Sequence, residues 1–282
     1  MRESLPTVPS FKASRATGRT PAWLRSGIGI IWMIRVGIVA VLVGAWQLTA
    51  MRWVSPAFIG EPSAIALEFW KLFGTPVVTV DLPTTLLETF FGFIIGGALG
   101  LIGGAALARL DVIYTALQPR IAALNSLPRV ALAPIFIIWF GVGMASKVAL
   151  SVSLVGFIVL LSTVAALTES DRDIALLAKS LGANERQRLF KFVLPGAVPV
   201  LVSGLQLGVV YSFLGAVTGE LIGGSHGLGV QLAYEANTFA TNTFFAILLL
   251  LAIVTSLISA LMTFVERRLL RWHHIEMRGM RG

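Results

Sequence analysis

Six stretches of this chain carry almost no charge and are of membrane-crossing length or close to it: 28–50, 86–108, 127–141, 145–167, 193–222 and 243–265. Crossing a hydrocarbon core takes about 20 apolar residues as a helix, and lipid leaves every backbone N–H and C=O to be satisfied internally. The sequence therefore predicts an all-α polytopic membrane bundle of about six transmembrane helices. Composition agrees, since 56% of the 282 residues are hydrophobic, 13% are charged, and mean hydropathy is +0.85. A water-soluble surface cannot be made from so little charge. Zero cysteines exclude disulfides, iron-sulfur clusters and thiolate zinc, and three histidines leave little for an imidazole metal site. No cofactor is expected in this chain.

Three domains are read from the pattern: a cytoplasmic lead over 1–26, a permease-like membrane domain over 27–272, and a basic tail over 273–282. The lead mixes Arg2, Lys12, Arg15, Arg19 and Arg25 with Ser, Thr and Pro, and Arg35 sits where it can snorkel from the first span. Leu48-Thr49-Ala50 also resembles a cleavage site, so a removed signal segment is an open alternative for this first span. Residues 51–84 read as an external segment with an amphipathic stretch from Ser63 to Phe73, and 111–120 as a polar internal loop. Pro128, Arg129 and Pro134 interrupt the third span, whose clean run from Val130 to Phe140 covers only about 17 Å. A kinked or partly re-entrant helix beside protein or water is expected there. The tryptophans Trp32, Trp46, Trp53, Trp139 and Trp272 suit interfacial belts.

Six crossings put both ends on one side. Eighteen of the 22 Lys and Arg fall on that side, and only Arg52, Lys71 and Lys147 on the other. Basic residues collect in cytoplasmic loops, so both termini are expected in the cytoplasm, with no need for nucleic acid as a partner. The bilayer itself accounts for the charge excess.

Span two carries Gly92, Gly96, Gly100 and Gly104 at four-residue intervals, and span five repeats the device with Gly204, Gly208, Ser212, Gly215 and Gly219. Small residues on one face let another helix backbone approach closely. Between spans four and five, the loop 168–195 holds a short amphipathic helix over Ile174, Leu177, Ala178 and Leu181, stopped by Gly182. A second short helix starts at Asn184, with Gln187 placed three residues on for a capping box. This hairpin either lies on lipid headgroups through Arg186, Arg188 and Lys191 or presents a knob to a cytoplasmic protein.

Leu-Ala-Lys-Ser-Leu-Gly-Ala at 177–183, followed by Leu194-Pro195, resembles the cytoplasmic signature loop of bacterial ABC-importer permeases. Leu176 stands where that pattern has Glu, Leu177 where it has its first Ala, and Phe192 where it has Ile. Residues 131–147 (ALAPIFIIWFGVGMASK), Glu220 and Gly227-Leu228-Gly229 are similar to the group serving sulfonates, taurine, nitrate and pyrimidine vitamin precursors. The resemblance runs from about Val36 to Trp272. It implies a type I importer fold, a second permease copy, two ABC ATPase subunits that bind ATP and Mg, and an external solute-binding protein. Ala178, Lys179, Ser180, Leu181, Gly182, Ala183, Leu194 and Pro195 would then form the element that couples to the ATPase. Pro134, Trp139, Gly141, Gly143 and Glu220 become candidates for the path or gate, with Glu220 alternatively a helix-end carboxylate satisfied by backbone or water.

The chain contains no G-x-x-x-x-G-K-[ST] phosphate loop, so hydrolysis of ATP is expected to come from a partner. Asp171 and Asp173 have no facing acidic cluster and read as caps, and His226 as a turn residue. Two alternatives remain at this point. A secondary transporter should show an ionisable residue near mid-membrane or inverted repeats, and a membrane-embedded enzyme should show paired acidic or nucleophilic motifs.

Overall fold

The computed structural model describes residues 22–53, 55–168, 180, 182–184 and 187–270, and every regular element among them is helical. Helix α1 (Ala22–Arg52) leads to two short helices, α2 (Pro56–Ile59) and α3 (Pro62–Leu72). A π-helical turn, Val77–Asp81, runs directly into α4 (Leu82–Ala108), followed by α5 (Asp111–Ser126). A 3-10 turn, Arg129–Leu132, opens α6 (Ala133–Phe140), and α7 (Met144–Thr168) follows a glycine turn. Beyond the loop, a π-helical turn over Arg188–Val193 enters α8 (Leu194–Ile222), and α9 (Leu228–Asn237) and α10 (Thr241–Leu269) complete the described chain. Five segments are long and apolar enough to cross a membrane, and the bent pair Val112–Ser126 with Arg129–Phe140 makes a sixth if it counts as one crossing.

Helix α7 forms the centre, gripped on two sides by glycines. A Cβ built at Gly92, Gly96, Gly100 or Gly104 of α4 would meet Ser151, Val155, Val159 or Thr163 Cβ at 2.3 to 2.8 Å. Both series advance by four residues, so α4 and α7 run parallel in a fixed register. On the other side, Gly204 faces Ser162, Gly215 faces Ser151 and Gly219 faces Lys147, so α8 runs antiparallel to α7. Lipid tails are as apolar as leucine, so close packing and interhelical hydrogen bonds carry association inside a bilayer. Two such bonds stitch the three helices together: Ser212 Oγ donates to Thr89 O at 2.6 Å, and Ser151 Oγ to Ser212 O at 3.0 Å.

An apolar cluster fills the bundle end that carries α3 and α9, called the outer end here in line with the charge asymmetry. Ile65 and Leu72 of α3, Phe213 and Val217 of α8, Leu228 and Leu232 of α9, and Ile247 and Leu250 of α10 meet there. Helix α1 stands outside the bundle with its spanning window unburied, held through Trp46 Nε1 to Ile59 O at 3.2 Å and Ser63 N to Gln47 Oε1 at 3.0 Å.

Several boundaries differ from the sequence reading. The supposed polar loop 111–120 is the first part of helix α5, because Ala116, Leu117, Gln118, Ala122, Ala123 and Leu124 are strong helix formers. Its polarity reflects exposure. The third span thus begins well before residue 127, and its two halves are bent by 79°. The break falls where expected, since Leu127 precedes a proline and is extended at ψ 132°. The second span starts at Val77 instead of Leu86, with Pro83 where the π-helical turn passes into α4. The first, fourth and sixth spans lengthen to Ala22–Arg52, Met144–Thr168 and Thr241–Leu269.

Candidate functional site

Four ionisable side chains meet near the outer end, all almost completely buried: Asp81, Glu88, Lys147 and Glu220, each at 2% exposure or less. Helix α4 supplies Asp81 just before its start, then Thr85 and Glu88, a spacing of four and three that stacks them on one face. Helix α8 contributes Glu220 near its C-terminus, and α7 contributes Lys147 in its first turn.

The carboxylates are held by the 223–229 segment. Glu220 accepts Thr85 Oγ1 on one oxygen and the Gly229 N–H on the other, both at 2.7 Å. Thr85 Oγ1 in turn accepts the Leu228 N–H at 3.0 Å. Asp81 accepts the Gly227 N–H at 2.8 Å and Gln231 Nε2 at 3.0 Å, and the exposed His226 imidazole lies 3.8 Å away. Gly227 has φ +124°, and a Cβ there would sit 2.2 Å from the Glu220 carboxyl carbon. Only glycine lets this backbone wrap so closely.

Lys147 completes the cluster. Its Nζ donates to Val142 O and, at 3.0 Å, to Gly143 O, which fixes the turn between α6 and α7. Glu88 and Glu220 both feel its positive charge. Glu88 packs against Glu220, and its Oε2 is buried without a hydrogen-bond partner among the described residues. Buried charge is costly in a bilayer and persists where it is paired. Chemically the arrangement is a clamp: it ties three helices, the turn after α6 and the 223–229 loop together. Among the described residues no group of three His, Asp or Glu can hold a metal ion.

Of the sequence candidates, the structure brings Glu220 and Gly143 together, joined through Lys147. Pro134, Trp139 and Gly141 are exposed on α6 and its turn and contribute no side chain to the clamp, with Trp139 at 69% exposure. Glu220, near the C-terminal end of α8, is hydrogen-bonded by the Thr85 hydroxyl and the Gly229 N–H. The packing glycines Gly92, Gly96, Gly100, Gly104, Gly204 and Gly208 all face α7. In the loop candidate, Gly182 has φ +69°, and Asn184 and Gln187 exchange bonds at 2.8 and 3.0 Å as a capping box does. Ser180 is exposed, Ala183 half-buried, and Leu194 and Pro195 open α8; Ala178, Lys179 and Leu181 lie outside the described residues. Sequence reasoning missed Asp81, Thr85, Glu88 and Lys147 as one site. The available signal was a carboxylate, Glu88, inside a run otherwise fit for lipid, and a lysine in the first turn of the fourth span.

Residues 92–271 match the family of binding-protein-dependent transport system inner membrane components. The chain belongs to that family and is a permease subunit of an ABC importer. It is 32% identical over 273 residues to a riboflavin transport system permease of Chloroflexus aurantiacus, covering 96% of this chain and 99% of that one. A putative aliphatic sulfonates permease of Bacillus subtilis is 29% identical, with 96% and 97% covered, and the taurine permease of Escherichia coli 28% identical, with 85% and 90% covered. The inward-facing MetNI methionine ABC transporter has a similar fold, with TM-score 0.57 and 22% identity over 68% of this chain and 95% of that chain.

Proposed function

We propose that this permease acts as a homodimer, served by two ATPase subunits at its inner end and by a solute-binding protein at its outer end. Both termini are cytoplasmic on this reading. The solute is a small polar organic molecule, an anion or a heterocycle, in keeping with relatives named for riboflavin, aliphatic sulfonates and taurine. ATP and Mg belong to the ATPase partner. The path runs beside the exposed side of α6, and Pro134, Trp139, Gly141 and Gly143 border it. The clamp acts as a latch that holds the 223–229 segment against α4.

One observation carries the coupling role of the loop: a left-handed Gly182 followed at once by the closed Asn184–Gln187 capping box. If the amphipathic stretch expected to end at Gly182 is a helix, these two features would set the direction in which the following segment leaves it, and a stiff lever of that kind would transmit ATPase closure to the spans as rigid-body motion. Gly182→Val would force a β-branched residue into positive φ at about 1 to 2 kcal/mol and re-aim the lever. In the reconstituted complex it should abolish uptake and weaken ATPase pull-down while membrane insertion is kept. Normal transport by this variant would return the loop to a lipid-surface role.

A further inference from the structure

A second, independent feature lies at the outer end. A cavity of about 250 Å³ opens between α2, the end of α9 and the start of α10, and Phe58, Phe239, Phe244, Phe245 and Glu235 line it. Its frame is fixed: Thr241 Oγ1 donates to Ala57 O, Ala240 N to Glu235 O at 3.0 Å, and Phe244 N to Ala240 O at 3.0 Å. Phe239, 69% exposed, is held at φ 55°, the one positive-φ residue other than glycine among those described. The half-buried Glu235 carboxylate has no hydrogen-bond or ion-pair partner among the described residues, and Glu68 is near enough to act on it electrostatically.

Phenyl faces attract an ammonium or guanidinium, and a carboxylate beside them supplies the counter-charge. The geometry points to this cage as the seat of a Lys or Arg side chain presented by the external solute-binding protein. The inference rests on the importer reading above and adds the chemistry by which the partner docks. Charge favours a protein side chain over a lipid amine. The segments 55–76 and 223–240 carry Glu61, Glu68 and Glu235 against Lys71, which Glu68 already engages at 2.8 Å, with His226 the other basic group. A lipid ammonium brings its phosphate with it, and Glu68 and Glu235 would repel that phosphate. A lysine or arginine side chain brings no such anion.

The test has two arms. In the first, butylammonium and ethylguanidinium are titrated against the purified full-length permease in detergent, with melting temperature and tryptophan emission as readouts. Trp46 stacks edge-on against the cage ring Phe245 at 5.6 Å and reports on its filling. Wild type should respond saturably to both cations and not to butanol, and Glu235→Gln and Phe58→Ala should each need about tenfold more cation. Glu235→Gln keeps the size of the side chain and breaks no hydrogen bond or ion pair among the described residues, so folding should be retained. In the second arm, the permease with its ATPase is reconstituted in nanodiscs and titrated with the binding protein. Glu235→Gln should need about tenfold more binding protein for half-maximal ATPase stimulation, and butylammonium should compete in wild type. Equal responses of wild type and Glu235→Gln to the cations would overturn the cage. Cation binding without any change in the binding-protein titration would assign the cage to something other than that partner, and a dependence on phosphatidylethanolamine over phosphatidylcholine would assign it to lipid. A wild-type complex that binding protein fails to stimulate would refute the importer reading and this inference together.

Discussion

Lys147 satisfies two carbonyls of the 141–143 turn and faces two buried carboxylates, so its removal strands polar groups on both sides. Breaking a buried charge cluster by deleting one sign costs more than replacing the whole cluster with apolar groups. Lys147→Met should therefore destabilise the permease by about 3 kcal/mol, read as a drop in detergent melting temperature. Adding Glu88→Gln should recover part of the loss, since it removes one of the two acidic groups left without a cation. Simple additivity of the two changes would show that Lys147 and Glu88 are not coupled. Glycine positions in the same region separate strain from collision. Gly141 has φ +79° and ψ 178° with nothing within 4 Å of a built Cβ, so Gly141→Ala meets only backbone strain, about 1 to 3 kcal/mol. Gly227→Ala adds a Cβ 2.2 Å from the Glu220 carboxyl carbon and must open the clamp, so uptake should fall far more than for Gly141→Ala. Comparable uptake by both would mean that the 223–229 segment moves freely and latches nothing.

At the scale of helices, the α4–α7 seam distinguishes glycines that are needed from those that are merely present. A Cβ at Gly100 would lie 2.7 Å from both Gly156 O and Val159 Cβ, whereas one at Gly103 would sit an ordinary 3.5 Å from Leu160 Cδ1. Alanine gains about 1 kcal/mol of helix propensity over glycine, and overpacking a tight seam costs about 1 to 3 kcal/mol. Gly103→Ala should leave the melting temperature unchanged or higher, and Gly100→Ala should lower it and reduce uptake. Loss of stability in Gly103→Ala would mean that the seam lies elsewhere on α4. The glycine faces themselves were legible in the sequence, because a four-residue repeat of small residues has few other uses in a lipid-spanning helix. Their partner was not, for α7 presents Ser151, Val155, Val159 and Thr163, which carry no signature until the register brings them opposite the glycines. Helix α5 was misread because polarity was taken for irregularity. Glu88 escaped notice because eight buried glycine, threonine and glutamate positions on α4 are masked by an apolar average over the whole span.

For the whole molecule, the registers decide how many times the chain crosses. Helices α4 and α7 run parallel, so the end of α4 at Ala108 and the start of α7 at Met144 lie at opposite ends of the bundle. The chain between them must cross, and α5 with α6, though bent by 79°, is the segment available. That turns five straight candidates into six crossings. Helix α8 is antiparallel to α7, so the 168–195 loop joins them at the inner end, where Arg109 also lies. The basic asymmetry sharpens in the same direction, because Lys147, one of three basic residues assigned to the outer side, is buried in the clamp and belongs to no loop. On the proposed orientation, the positive-inside bias puts this inner end in the cytoplasm. The chain has no cysteine, so single cysteines report cleanly. Thr238→Cys, in the exposed turn after α9, should react with a membrane-impermeant maleimide in intact cells, and Arg109→Cys only after permeabilisation. Reaction of both from outside would break the bent crossing and with it the six-segment topology. Exchange of the two patterns would keep the topology, invert the orientation, and move the Gly182 hairpin away from any cytoplasmic ATPase.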